Sequence, residues 1–187
     1  QGVSGLTFPD NIGDCRLILE GTNTFTSDKE NTPAVCKKTF GKLTISGKGK
    51  LIAIATGDKS NGIGSGDCGD LYIEGGIIHA KASHDNMAIG HAQNGSDSVV
   101  YYTGGTVEGM CGDDTPYSHY GGLTGKDAKV TITGGSIHSM NKGFSSFSNH
   151  IHPTNGSAKV YCSTITLGEG ATLAKQAYVT APLVGAE

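Results

Sequence analysis

The chain has 187 residues, 30 of them glycine, no tryptophan and a formal net charge of −3. This length fits one domain, and so small a charge gives no reason to expect nucleic acid or an anionic membrane as partner. No apolar run approaches the roughly 18 residues of a membrane-spanning helix. Threonine, serine, glycine and β-branched residues are frequent, which favours short strands separated by tight turns.

The first 14 residues have no clear periodicity, and we expect them to be a lead-in segment or an N-terminal cap. Further along, three stretches share the pattern of a strand, a Gly-Gly pair and a second strand. DLYIEGGIIHA begins at Asp70, VVYYTGGTVEG at Val99 and KVTITGGSIHS at Lys129, so the period is about 29–30 residues. A constant period of this size is typical of a solenoid, in which stacked repeats bury a face that one repeat cannot bury alone.

Less regular copies begin at Cys15, Lys42 and Lys159. Apolar and other residues alternate in every opening strand, so one face is buried and the copies stack in register. Aligned by hand, the inward positions form three columns: Leu17, Leu43, Leu71, Val100, Val130 and Val160; Leu19, Ile45, Ile73, Tyr102, Ile132 and Cys162; and, in the second strand, Phe25, Leu51, Ile78, Val107 and Ile137.

These columns predict an all-β, parallel β-helix of about five coils, each of roughly 27–30 residues. The Gly-Gly pairs at 75–76, 104–105 and 134–135 suit corners that need positive φ. A third short strand is expected in the looser half of each coil. We expect one domain over residues 1–187, with coils at 15–167 and caps at 1–14 and 168–187, because open sheet edges need cover.

LTISGKGKLIAIATGDKSNGIGSG followed by DLYIEGGIIHA resembles repeats of secreted bacterial surface proteins. Many of these are parallel β-helix domains, among them cellulose- and pectin-binding modules of clostridial type. The resemblance covers about residues 40–140 and implies right-handed coils, an extracellular setting and polysaccharide binding. The chain departs from the pattern where GIGSG at 62–66 becomes HYGGL at 119–123 and SFSNH at 146–150, so a site inferred from the glycine-rich version does not carry over there.

The alternation turns a second set of side chains outward. In the first strands this column is Ile18, Thr44, Tyr72, Tyr101, Thr131 and Tyr161. Tyr72 and Tyr101 would lie one coil apart, with Glu74 nearby, and exposed aromatic residues suit stacking against sugar rings. The alternative is a cross-strand aromatic pair that only shields the strands.

The outward column of the second strands is Thr26, Ile52, His79, Glu108 and His138. Two histidines around a glutamate are a weak metal candidate. His79 and His138 are two coils apart, roughly 9.6 Å between backbones, whereas zinc ligands lie about 2–2.2 Å from one centre. A hydrogen-bonded polar ladder is the favoured interpretation.

The looser turns hold a cluster rich in histidine and aromatic residues. Its members are His91, Tyr117, His119, Tyr120 and His150, and together with Tyr72, Tyr101 and Glu74 they are the candidate glycan-binding residues. The alternative is that the rings of this cluster are buried and fill a widened coil. Asp113 and Asp114 are a further weak metal candidate. We expect no cofactor, although Ca²⁺ is the ion that oxygen ligands at such turns would hold.

We therefore predict a non-catalytic polysaccharide- or host-glycan-binding, or adhesion, module. It would be secreted or cell-surface and a monomer within a larger multidomain chain. One alternative is a pectate-lyase-like or glycosidase-like enzyme, which needs a cluster of carboxylates with Arg or Lys, or two carboxyls in a cleft. Another is a structural stalk that binds protein.

Five cysteines, at 15, 36, 68, 111 and 162, have wide spacings without a zinc-binding pattern. Buried thiols are the favoured interpretation. One or two disulfides with a free thiol are the alternative.

Overall fold

The computed structural model describes residues 5–38, 40–64, 68–83, 86–90 and 99–110, and between residues 129 and 184 it describes the backbone of six strands. One 3-10 turn spans Asp10–Ile12. In this part of the chain no helix is both long and apolar enough to cross a membrane. The strands are β1 Leu6–Phe8, β2 Cys15–Leu19, β3 Thr22–Ser27, β4 Val35–Lys37, β5 Lys42–Gly47, β6 Lys50–Ala55, β7 Asp70–Ile73, β8 Ile77–Lys81, β9 Val99–Tyr102, β10 Thr106–Met110, β11 Lys129–Ile132, β12 Ser136–Ser139, β13 Ala158–Val160, β14 Thr164–Leu167, β15 Ala177–Val179 and β16 Leu183–Val184.

All pairings between these strands are parallel, and they form two large sheets. Sheet A has seven strands in the order β2-β5-β7-β9-β11-β14-β16, and sheet B has five in the order β3-β6-β8-β10-β12. On a third side β1 pairs with β4, and parallel bridges join Val35 to Ile63 and Ile63 to Ile89. The chain thus passes from sheet A to sheet B and then to the third side, and it returns to sheet A at the next coil.

This path confirms the predicted all-β solenoid. Where a third short strand was expected in the looser half of each coil, the described residues form single parallel bridges at Ile63 and Ile89 instead of strands. The predicted count of about five coils is not confirmed. About three turns are described on all three sides, at the levels of Val35, Ile63 and Ile89. Sheet A itself is longer than predicted, because β14 and β16 extend it through segments for which a degenerate coil and a cap were expected.

The core is the interior of the coils, where inward side chains stack from level to level. Each fully buried aliphatic side chain contributes about 1.5–3 kcal/mol relative to an exposed one. The inward residues that are almost inaccessible to solvent are Leu43, Ile45, Leu51, Ile63, Leu71, Ile73, Ile78, Ile89, Val100, Tyr102 and Val107.

The register differs from the hand alignment at both ends of the repeat. In β2 it is Cys15 that lies opposite Leu43 and Leu17 opposite Ile45, a shift of two residues from the predicted pairs. In β3 the residue opposite Leu51 is Asn23 instead of Phe25. Towards the C-terminus Val130 lies opposite Ile165, so Val160 and Cys162 do not continue the predicted columns.

The Gly-Gly corners adopt the predicted geometry where they are described. Gly76 has φ of 90° and Gly105 has φ of 84°, a region that side-chain-bearing residues rarely adopt. A Cβ atom on Gly105 would also lie 2.8 Å from the carbonyl oxygen of Gly76 in the preceding coil. Glycine is therefore needed there for its conformation and for the close stacking of the corners. The pair at 134–135 lies outside the described residues.

Cys36 and Cys68 form a disulfide, and Cys15 is a free thiol. The alternative prediction of a disulfide is therefore correct for this pair, and the favoured interpretation of buried thiols is wrong for Cys36 and Cys68. Cys36 lies in β4 and Cys68 lies next to β7, so the bond joins the third side of one coil to the beginning of the next level of sheet A. Cys111 and Cys162 lie outside the part of the chain whose side chains are described.

Candidate functional site

The outward face of sheet A carries a column of side chains with the coil spacing. Strand register places Arg16, Thr44, Tyr72 and Tyr101 opposite one another, followed by Thr131 and Thr166 at the backbone level. We call these six residues the tyrosine column. It begins with Arg16 instead of the predicted Ile18 and continues to Thr166 instead of Tyr161, because of the register shifts described above.

Tyr72 and Tyr101 are directly stacked. Their ring centroids lie 4.3 Å apart and their planes differ by 20°. One ring face of each tyrosine is therefore covered by the other tyrosine. The ammonium group of Lys42 lies 5.2 Å from the Tyr72 centroid, a cation–π distance. The rings form the cross-strand pair foreseen as the alternative, and both side chains are partly exposed.

The environment of Tyr72 favours its neutral phenol. Burial raises the pKa of this phenol above its ordinary value, and the hydrogen bond with the Tyr101 side chain raises it further. Negative charge on Tyr101, Asp70 and Asp14 acts in the same direction. The hydroxyl group of Tyr72 consequently remains a hydrogen-bonding group throughout the physiological pH range.

Glu74 lies beside the tyrosine column and is held by Arg16. The Nη1 atom of Arg16 donates to Oε2 of Glu74 at 2.6 Å and lies 3.4 Å from the Ser46 hydroxyl oxygen. The guanidinium thus crosses from the first coil to the third. Thr44 is buried although it points outward, because it lies between Arg16 and Tyr72 in the column. The face is therefore a packed layer of polar side chains.

The outward column of sheet B contains the predicted histidine and glutamate neighbours. Nδ1 of His79 lies 2.8 Å from Oε2 of Glu108, and both side chains are partly exposed. His138 lies opposite Glu108 in the strand register, but its side chain is not among those described. The column begins with Thr24 instead of the predicted Thr26.

Where side chains are described, no three His, Cys, Asp or Glu residues are arranged to hold a metal ion. The contact between His79 and Glu108 fits the polar ladder that we favoured. The remaining candidates lie outside the described residues: His91, Asp113, Asp114, Tyr117, His119, Tyr120 and His150.

Two features of this region were missed in the sequence. Arg16 enters the face through the register shift, which the alternation pattern cannot reveal. Phe40 is 75% exposed and lies two residues before Lys42, at the corner where β5 begins. In the sequence, Phe40 stands next to Gly41 and outside the alternating pattern of the strands, and this position could have indicated a solvent-exposed ring.

Comparison of the chain with protein-family models, curated proteins and solved structures finds no match. The functional assignment therefore depends on the geometry of the chain's own residues.

Proposed function

We propose that this chain is a non-catalytic polysaccharide-binding module and that the outer face of sheet A is its binding surface. The observation that carries the proposal is the arrangement of Tyr72, Tyr101 and the Arg16–Glu74 pair on one regular parallel sheet. Tyr72 and Tyr101 lie on neighbouring coils, about 4.8 Å apart along the sheet, and Arg16 lies in the same column two levels before Tyr72. Such an array suits a polymer of sugars, since each sugar offers hydroxyl groups and weakly polar C–H surface.

The charged groups on this face suit hydroxyl ligands. The Arg16–Glu74 pair offers guanidinium donors and carboxylate acceptors, and charge-assisted hydrogen bonds are about twice as strong as neutral ones. The ion pair also leaves these groups already oriented, which lowers the entropy lost on binding. Lys42 and the two tyrosine hydroxyls supply further donors beside it.

The setting that we propose is extracellular, in a bacterial surface protein of the kind that the repeats resemble. The Cys36–Cys68 disulfide supports this, because disulfides persist mainly in oxidising compartments. We propose right-handed coils, since connections between parallel strands of one sheet are right-handed in the great majority of cases. Within the larger protein the module would act as a monomer.

Affinity gel electrophoresis with hydroxyethyl cellulose, arabinoxylan, mannan and polygalacturonate tests the proposal. We expect at least one polymer to retard the wild-type protein, and Tyr101→Ala and Arg16→Ala each to weaken that binding about tenfold, the effect of losing ~1.4 kcal/mol. His79→Ala is the matched control, because it alters a half-exposed group on sheet B. Unchanged migration of the wild type in all four polymers would overturn the proposal.

The same samples distinguish binding from catalysis. Incubation with each polymer, followed by assay of reducing ends and of absorbance from unsaturated products, should show no turnover. Any turnover that Glu74→Gln or Glu108→Gln abolishes would favour the enzyme alternative. Retardation that is equal for Tyr101→Ala, Arg16→Ala and the wild type would place the binding surface elsewhere on the solenoid.

A further inference from the structure

Phe40 is the most exposed large apolar side chain in the described part of the chain, at 75% of its full accessibility. Exposed apolar residues are common on protein surfaces and by themselves indicate nothing. What distinguishes Phe40 is the support beneath it, because the turn that carries this ring is fixed from the inside of the solenoid.

Lys37 provides that support. Its side chain is almost fully buried, and Nζ donates to the carbonyl oxygen of Lys38 at 2.8 Å and to that of Phe40 at 2.7 Å. A buried ammonium group is costly unless it is hydrogen-bonded. Here the bonds hold the carbonyl group of Phe40 towards the interior and leave its ring on the outside.

Two further constraints act on the same turn. Cys36, next to Lys37, forms the disulfide with Cys68. The backbone of Lys38 forms an antiparallel β-bridge with the backbone of Cys68. After the turn, Gly41 has φ of 81°, and a Cβ atom on it would lie 2.9 Å from the backbone of Gly13. The backbone is thus held at Lys38 before Phe40 and at Gly41 after it, so a ligand that contacts the ring orders little additional chain.

The position of Phe40 connects it to the proposed binding face. Lys42 follows two residues later, and its ammonium group lies over the Tyr72 ring. The Tyr72 and Tyr101 rings cover each other, which leaves them less suited to stacking than the open ring of Phe40. Gly41 lies against the backbone of Gly13, and Ile12, the residue before Gly13, is 49% exposed, so the preceding coil carries a second exposed apolar side chain in this region.

We propose that Phe40 is the residue on which a pyranose ring of the bound polysaccharide stacks, while the tyrosine column contributes hydroxyl groups to the same chain of sugars. This inference rests on the proposed function and adds its apolar anchor. Buried aromatic anchors dominate many binding surfaces, with loss of more than tenfold in affinity when they are removed.

The absence of tryptophan from the chain makes a direct test available. Phe40→Trp places a single indole at the proposed anchor, and Met110→Trp places one at a partly exposed position at the end of β10, in sheet B, as a control. With saturating amounts of the polymer that retards the wild type, fluorescence of the Phe40→Trp protein should shift to shorter wavelength and its quenching by acrylamide should fall at least twofold. The Met110→Trp protein should show neither change.

Affinity completes the test. Phe40→Ala should weaken binding at least tenfold, Phe40→Trp should preserve it, and both should keep the wild-type melting temperature because the ring is outside the core. If the wild type binds a polymer but Phe40→Ala binds it equally well, the assignment of Phe40 as the stacking residue is wrong and the proposed function stands. If the wild type binds none of the four polymers, the proposed function fails and the anchor fails with it.

Discussion

Nη1 of Arg16 lies 2.6 Å from Oε2 of Glu74, although the two residues are 58 positions apart in the sequence. Arg16 is in β2 and Glu74 directly follows β7, so the pair spans two levels of sheet A. The contact depends on the coil stacking and on the register of the first coil, which moves Arg16 into the tyrosine column. Both side chains remain partly exposed, at 51% and 37%.

The Arg16–Glu74 pair should contribute little to stability. Exposed ion pairs are typically worth about 0.2–1 kcal/mol, and a double-mutant cycle with Arg16→Ala and Glu74→Ala should give a coupling energy in that range. The coupling, measured by urea unfolding, should shrink in 1 M salt, where charges are screened within about 3 Å. A coupling above ~2 kcal/mol would contradict this description of the pair.

Removal of the Cys36–Cys68 disulfide should destabilise the solenoid. The bond closes a sequence separation of 32 residues, for which loss of the cross-link costs about 3–4 kcal/mol. For a chain of this size we expect Cys36→Ser/Cys68→Ser to melt about 10 °C lower. Cys15→Ser is the control, because Cys15 is a free thiol. Equal melting temperatures for the wild type and the double variant would show that the bond does not stabilise the fold.

The two glycine positions 105 and 21 should differ in their tolerance of alanine. Both have positive φ, 84° and 62°, which costs an alanine about 1–2 kcal/mol. A Cβ atom on Gly105 would also meet the backbone of Gly76, whereas nothing lies within 4 Å of one on Gly21. Gly105→Ala should therefore reduce the free energy of unfolding by at least about 1 kcal/mol more than Gly21→Ala does, as measured in urea. Similar losses would argue against close stacking of the corners.

Tyr102 should make the protein less stable at alkaline pH. Its ring is fully buried, and burial raises the pKa of the phenol well above its ordinary value. Above about pH 10 the unfolded chain releases this proton while the folded chain keeps it, so the stabilising contribution is present below pH 10 and declines above it. Between pH 9 and 11 the wild type should lose about 1.4 kcal/mol more than Tyr102→Phe. Parallel losses would mean that Tyr102 ionises normally in the folded state.

Much of this fold follows from local periodicity in the sequence. Alternation in the strands around Leu71 and Val100 identifies their inward faces, and the constant period brings Tyr72 next to Tyr101 and His79 next to Glu108. These predicted neighbours are correct because the copies that begin at Asp70 and Val99 have the same number of residues between the first strand and the Gly-Gly pair. One alignment therefore fits the first and the second strand of both copies.

The alignment of the first coil could not be obtained in this way. A shift of two residues preserves the inside–outside alternation, so Leu17 and Leu19 fit the inward pattern equally well in either register. In the folded chain, the position of the glycine corner selects one of these two registers. Leu19 lies opposite Gly47, where a Cβ atom would collide with the Leu19 backbone.

The sequence by itself determined the parallel solenoid, the inward positions of the central coils around Leu43, Leu71 and Val100, and the glycine corners, because these arise from short-range periodicity repeated at a constant interval. Only the tertiary structure decided two pairs that join different levels, Cys36 with Cys68 and Arg16 with Glu74. It also decided that the Lys37 side chain is buried, where its ammonium group bonds the nearby carbonyl group of Phe40. The two pairs join residues that are far apart in the sequence, so their closeness depends on how the coils stack and on where the corners turn.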